Sequence, residues 1–207
     1  MVDTLWNYAD TIFPLLTILI FCCKYRKIPE EKEIFWYLLI SFIIFYIANI
    51  IADKGKNNQF LYHLFSLLQF YILLFYFRKI LVIKSPLKIL IIIYPIFFFI
   101  NIFYFDGLCV FNSTTASFNC ILFIYLTIRY YFSIINYKGS IILNRNFNFW
   151  TATAILIYSS GSLPIFIFYK YAPSYKEFFV EFWKIQVVIL AIKYSLIIKA
   201  ILCLRIK

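Results

Sequence analysis

Seven long apolar stretches constrain this chain more than any other feature of its sequence. Each comes close to the roughly 20 mostly apolar residues that a helix needs to cross the hydrocarbon core of a bilayer. The stretches cover residues 5–23, 34–51, 60–77, 87–105, 115–132, 147–169 and 178–204. In lipid, every backbone N–H and C=O group needs a partner within the protein, and a helix provides one. The sequence therefore predicts an all-α integral membrane bundle of seven transmembrane helices, which form a single domain over residues 1–207.

The composition excludes the other common classes of protein. Hydrophobic residues make up 64% of the chain and charged residues only 14%, whereas soluble domains are about half apolar and about a quarter charged. A soluble domain, a disordered chain and a disulfide scaffold are all excluded. Because the loops between the apolar stretches are too short to fold as catalytic or DNA-binding domains, we expect the helical bundle itself to carry the function.

The distribution of lysine and arginine predicts the orientation of the bundle. Of the 20 basic residues, fourteen lie in the first, third and fifth loops and at the C-terminal end, whereas four lie in the second and sixth loops. Lysine and arginine concentrate on the cytoplasmic side of membrane proteins. We therefore expect the N-terminus outside and the C-terminus in the cytoplasm of a multi-pass protein, in the bacterial inner membrane. Contact with anionic lipid explains the net charge of +11, so we expect a lipid bilayer and no nucleic acid as partner.

Polar residues within the predicted helices are the candidates for a binding site. A polar side chain in a membrane helix is costly and usually faces protein or a water-filled cavity. Most of these residues fall in the outer half of the predicted bundle, so we expect a ligand-binding pocket that opens to the outside. The alternative is a set of separate interhelical hydrogen bonds, each worth about 0.6 kcal/mol. The candidates are Asn49, His63, Ser66, Gln69, Asn101, Asn119, Ser160, Glu181, Lys184, Gln186 and Lys193.

Neither a metal nor a cofactor is expected at these residues. His63 is the only histidine, and no second histidine or intramembrane cysteine cluster accompanies it to complete a metal site. Lys193 lies deep in the last helix, the position at which a rhodopsin holds its retinal. The third helix, however, has His63 and Gln69 where the charged Schiff base would need a carboxylate counter-ion. Because burying a charge without such a partner is costly in free energy, we do not expect a bound retinal.

Two features of the predicted outer side leave alternatives open. Cys109 and Cys120 could form a disulfide or remain as separate small side chains, because their spacing requires neither. Asn112-Ser113-Thr114 matches a glycosylation sequon, but it lies very close to the membrane, and such triplets are frequent by chance.

Three stretches resemble those of small seven-helix membrane proteins of Bacteroidota. They are Asn57-Asn58-Gln59-Phe60-Leu61-Tyr62-His63-Leu64, Phe149-Trp150 with Ile157-Tyr158, and Phe182-Trp183-Lys184-Ile185-Gln186. Proteins of this group look like membrane companions of two-component signalling systems. The resemblance implies sensing, and it implies no ligand and no catalytic residue.

Three hypotheses of function follow. The first is a sensory or signalling-accessory module that binds a small or lipidic ligand in the outer-half pocket and acts through a membrane partner such as a sensor kinase; Pro164 would give its sixth helix a kink. The second is a small-solute transporter or channel, which would need polar residues through the inner half as well. The third is an intramembrane enzyme, for which only His63 and the pair Glu181 and Lys184 are available.

Overall fold

Seven α-helices make up most of the chain that the computed structural model describes, namely residues 8–24, 32–81, 85–137, 142–169 and 176–203. Side chains are described for all of these except 85–88 and 176–181. The helices are α1 (Ala9–Lys24), α2 (Lys32–Asp53), α3 (Gln59–Ile80), α4 (Ser85–Tyr104), α5 (Ser113–Ile135), α6 (Phe147–Phe168) and α7 (Lys176–Cys203). A short 3-10 helix, Leu143–Arg145, precedes α6. No strand occurs among the described residues, and the predicted all-helical fold is confirmed.

Five of these helices are long and apolar enough to cross a membrane. They are α2, α3, α5, α6 and the part of α7 from Phe182 to Cys203. The apolar part of α4, Ile89–Tyr104, is shorter, and α1 has 16 residues. The chain is thus a helical membrane protein, and the total of seven crossings stays a prediction.

Contacts between helix ends show that α1 and α2 run in opposite directions and that α1 and α7 run in the same direction. At one end of the bundle, the Tyr8 hydroxyl just before α1 donates to the Asp53 carboxylate at the end of α2 (2.8 Å). At the other end, Lys24 Nζ at the end of α1 donates to the carbonyl of Leu202 at the end of α7 (2.7 Å). We call these two ends the Asp10 end and the Lys24 end, after residues in the first and last turns of α1.

Six of the helices form a closed ring. Around it, α1 packs on α2, α2 on α3, α3 on α5, α5 on α6, α6 on α7, and α7 on α1. The remaining helix, α4, lies against α3 and α5 on the outside of the ring. Its far side is strongly apolar and exposed, with Ile92 at 69% and Phe103 at 77% of full exposure, as expected of a surface that faces lipid tails.

The half of the ring nearest the Lys24 end is filled mainly by apolar side chains, with the threonines Thr127 and Thr151 buried among them. Ile197, Ala200 and Ile201 of α7 are at most 1% exposed, and so are Leu74 and Phe77 of α3. All five belong to one continuous cluster of buried hydrophobic residues. Interiors packed in this way leave few voids, so the space inside the ring lies toward the other end.

Candidate functional site: a cavity inside the helix ring

A cavity of about 80 Å³ lies inside the ring. All six ring helices contribute to its wall, and so does the segment before α5, whereas none of the described side chains of α4 lines it. The lining residues are Asp10, Phe45, Tyr62, Phe65, Ser66, Gln69, Phe111, Asn112, Ala116, Asn119, Cys120, Phe123, Tyr158, Ser159, Phe166, Trp183, Gln186, Leu190 and Lys193. The wall is therefore largely aromatic, with a small number of polar groups among the rings.

The cavity extends from the Asp10 end to the middle of the bundle. Among the described side chains of α7, the lining residues extend from Trp183 to Lys193, a rise of about 15 Å at 1.5 Å per residue. Asp10, Tyr62 and Trp183, toward the start of α1, α3 and α7, are half-buried, whereas Lys193 is 3% exposed. Access from the Asp10 end follows from this gradient of exposure.

Lys193 is the basic residue of the cavity wall. Its Nζ donates to the Tyr37 hydroxyl (2.9 Å) and lies 4.1 Å from the ring centre of Tyr158 and 4.4 Å from that of Tyr194. Among the described residues no carboxylate forms an ion pair with it. A cation over aromatic faces is stabilised by about 2 kcal/mol when water is excluded, so the three tyrosines provide a setting for the ammonium group without neutralising it.

Three further polar groups in the wall have an oxygen without a hydrogen-bond partner among the described residues. They are Asn119 Oδ1, Ser159 Oγ and Gln186 Oε1, on residues that are at most 4% exposed. Leaving a buried polar group unsatisfied costs about 1–3 kcal/mol. Polar atoms of this kind, grouped around a cavity, are suited to bind a molecule that enters it.

The structure brings five of the predicted site residues together in this cavity: Ser66, Gln69, Asn119, Gln186 and Lys193. They come from α3, α5 and α7. The other predicted site residues are not among the described residues of the cavity wall.

His63 and Asn101 hold the connection between α4 and α5. His63 Nε2 donates to the Val110 carbonyl (3.0 Å). Asn101 Nδ2 donates to the Asp106 carboxylate (2.8 Å) and to the Thr115 hydroxyl (2.9 Å). Both residues are buried and lie outside the cavity wall, so in this structure their hydrogen bonds have a packing role.

The remaining predicted residues lie beside or away from the cavity. Asn49 Nδ2 donates to Asp10 Oδ1 (3.2 Å) and so contacts a lining residue without lining the cavity itself. Ser160 is exposed and donates to the Leu156 carbonyl of its own helix (2.8 Å). Lys184 is exposed and is not part of the wall. Glu181 belongs to α7, but its side chain is outside the described residues.

Sequence reasoning missed several residues of the wall, including Asp10, Asn112, Cys120 and Ser159. The signal that could have found some of them is helical spacing. On α5 the lining residues Ala116, Asn119, Cys120 and Phe123 recur three and four residues apart, which places them on one face of the helix. Once Asn119 is taken as a site residue, the helical spacing of Ala116, Cys120 and Phe123 around it indicates that they lie on or beside the same face of α5.

The structure bears on the two questions that the sequence left open, the Cys109–Cys120 disulfide and the glycosylation sequon. Cys109 and Cys120 are both free thiols, the first exposed and the second buried. Asn112 of the sequon is 2% exposed, and its Nδ2 donates to the Ser66 hydroxyl and to the Tyr62 carbonyl (3.0 Å). A buried, hydrogen-bonded amide of this kind is not accessible for glycosylation in the folded protein.

Comparison of the chain with protein families, with curated proteins and with solved structures found no match. The function is therefore argued from the cavity itself.

Proposed function

We propose that this chain is a membrane-embedded sensory or signalling-accessory module, which binds a small ligand in the ring cavity and acts through a membrane partner. We place it in a bacterial inner membrane, with the Asp10 end facing outward. The partner would be a membrane signalling protein such as a sensor kinase, because the loops between the apolar stretches are too short to fold as domains that transmit a signal.

The observation that carries the proposal is the cavity with its buried, unpartnered polar atoms. A cavity that contained only apolar side chains would be a packing defect, whereas Asn119, Ser159 and Gln186 each place a polar group in this wall. Binding sites for small molecules combine an apolar, aromatic wall with a few placed polar groups. The ring cavity has this combination.

The closed end of the cavity favours binding over transport. A transporter or channel needs a polar path through the whole bundle, and the wall ends at the level of Lys193 and Phe123. Beyond that level the ring contains the buried apolar residues Ile197, Ala200 and Leu74. The residues considered for an enzyme are not gathered in the wall either, since His63 and Lys184 are not part of it.

The packing of α6 against α7 offers a route by which a ligand could act. Ser159 on α6 and Gln186 on α7 both line the cavity, so one molecule could contact both helices. Pro164 lies one turn further along α6, and because proline has no backbone N–H, the helix loses a hydrogen bond there. A ligand can shift such an element only if it binds two of its states with different affinity.

The test compares two neighbouring serines in cells that carry this gene. Ser159→Phe fills the cavity, whereas Ser160→Phe places the same side chain on the exposed side of α6. Phosphorylation of membrane histidine kinases and of their response regulators is measured in the wild type, in a deletion strain and in both variants. We expect Ser159→Phe to change phosphorylation as the deletion does, and Ser160→Phe to behave as the wild type.

Ala116→Leu is a second cavity-filling variant, should Ser159→Phe reduce the amount of protein in the membrane. Ala116 is 8% exposed and lines the same cavity from α5. The proposal fails if the deletion leaves every kinase unchanged, or if the exposed Ser160→Phe variant has the same effect as the variants that fill the cavity.

A further inference from the structure

The buried end of the cavity holds the amine of Lys193, which has no carboxylate partner among the described residues. Lys193 lies on α7 and is 3% exposed, and within the described part of the chain its amine forms one hydrogen bond, to the hydroxyl of Tyr37. An ammonium group has three N–H donors and no acceptor, so two N–H groups of Lys193 remain available to a bound molecule. Cys120, Gln69 and Phe123, which line the same region of the cavity, are uncharged at neutral pH.

The acidic residue of the described wall is engaged elsewhere. Asp10 accepts hydrogen bonds from Asn49 Nδ2 (3.2 Å) and from the Thr11 hydroxyl (3.5 Å), and it is half-buried at the open end. It forms no ion pair with Lys193 in the described part of the chain. Within the described part of the chain, no carboxylate therefore balances the charge of a protonated Lys193 at the inner end of the cavity.

The tyrosines around Lys193 offset part of the free-energy cost of burying a charged amine. Tyr158 and Tyr194 present ring faces within 4.4 Å of Nζ, and ring faces attract a cation. The Tyr37 hydroxyl accepts from the same nitrogen. A charged amine in a site of low polarity attracts an anion much more strongly than it would in water.

Taking this proposed site as the binding site, we infer that its ligand is a small carboxylate, whose oxygens accept hydrogen bonds from Lys193 Nζ at the closed end of the cavity. Gln186 and Ser159 line the same cavity and offer further polar contacts. The aromatic side chains Phe45, Phe65 and Phe166, nearer the open end of the wall, would contact the hydrocarbon part of the molecule.

The size of the cavity limits the hydrocarbon part to a short chain. A cavity of about 150 Å³ holds one benzene molecule, and this cavity has about half that volume, near 80 Å³. An acid of about four carbons is the largest that fits without movement of the helices. Long-chain lipid acids would have to leave their tails outside the ring.

The test uses the full chain in nanodiscs with n-butyrate as the probe. Butyramide has nearly the same shape without the charge, and n-butylamine has the opposite charge. Tryptophan fluorescence reports binding, because Trp183 lines the cavity. We expect saturable binding of butyrate and binding of butyramide about tenfold weaker or more, since a hydrogen bond to a charged group contributes about 1.5–3 kcal/mol.

Two lysine variants on the same helix assign the effect to one side chain. Lys193→Met removes the buried amine and retains an apolar side chain of similar length. Lys199→Met changes an exposed lysine that lies over the Trp150 ring (3.5 Å) outside the cavity. We expect Lys193→Met to reduce the affinity for butyrate to that for butyramide, and Lys199→Met to leave both affinities unchanged.

The inference is overturned if butyramide or butylamine binds as well as butyrate, or if Lys193→Met still prefers the carboxylate. It is equally overturned if no probe gives a saturable signal, which would mean that the cavity holds water only. The proposed function is tested independently, by the comparison of Ser159→Phe with Ser160→Phe in cells. The kinase response in that experiment does not depend on the charge of the ligand.

Discussion

At the scale of single residues, the buried amide of Asn112 is expected to contribute to stability through two hydrogen bonds. It donates to the Ser66 hydroxyl and to the Tyr62 carbonyl, both on α3. Asn112→Ala would leave buried groups of α3 without a donor, and we expect it to lower the free energy of unfolding by about 1–3 kcal/mol. Thermal unfolding of the purified chain in nanodiscs measures the loss.

A second asparagine provides the matched control for that change. Asn57 Nδ2 also donates to a backbone carbonyl, that of Cys109 (2.8 Å), and its Oδ1 accepts from the Gln59 N–H (2.9 Å), but both bonds are exposed. Water can replace exposed hydrogen bonds, so Asn57→Ala should lower the stability less than Asn112→Ala. Equal losses in the two variants would show that burial of the Asn112 amide contributes nothing beyond an ordinary loop contact.

Which polar residues meet in one cavity could be predicted only in part from the sequence. His63, Ser66 and Gln69 recur every three residues, a spacing that drifts by about 60° per step around an α-helix. His63 therefore points to the segment before α5 while Gln69 faces the cavity. The rotation of each helix about its axis decides this outcome, and apolar residues that occur on all sides of a helix leave no sequence signal for the rotation.

At the scale of helices, a close approach of α6 and α7 depends on Gly161. A Cβ atom at this position would lie 2.8 Å from Ile189 Cδ1 and 3.2 Å from Ile189 Cγ1. Gly161→Leu should therefore overpack this contact and lower the free energy of unfolding by about 1–3 kcal/mol. Thermal unfolding in nanodiscs measures the change, with Ser160→Leu on the exposed side of the same turn as the control.

A double variant separates steric overlap from other effects of that leucine. Ile189→Ala removes the atoms that a side chain at 161 would meet, so Gly161→Leu with Ile189→Ala should recover part of the lost stability. If the double variant loses more stability than the two single variants lose together, steric overlap with Ile189 is not the cause of the loss, and the close approach of α6 and α7 does not depend on this contact.

The positions of the helices could be predicted from hydropathy, but their arrangement could not. The predicted stretch 115–132 became α5, Ser113–Ile135, because its length and apolar character already define a helix in lipid. The same information does not indicate that α4 lies outside the ring. Lipid tails and a protein core are equally apolar, so the helix residues around the lipid-facing Ile92 are as apolar as those around Leu74 in the core.

At the scale of the whole molecule, the two ends of the bundle differ in charge. Lys24, Lys79 and Arg145 lie at the Lys24 end together with Glu33, whereas Asp10, Asp53 and Asp106 lie at the Asp10 end together with Lys54 and Lys56. The described basic residues at the borders of the first, third and fifth loops, Lys24, Lys79 and Arg145, therefore lie at the same end of the structure. This agreement between chain direction and charge supports the prediction that the Lys24 end faces the cytoplasm.

The native cysteines allow that orientation to be measured without adding a new reporter residue. Cys109 is exposed at the Asp10 end, and Cys22 is exposed in the last turn of α1 at the Lys24 end. In variants that retain only one of them, a membrane-impermeant maleimide should label Cys109 in right-side-out vesicles and Cys22 only in inverted vesicles. The opposite pattern would place the open end of the cavity in the cytoplasm. The carboxylate would then have to come from inside the cell, and the module would report on the cytoplasm instead of the surroundings.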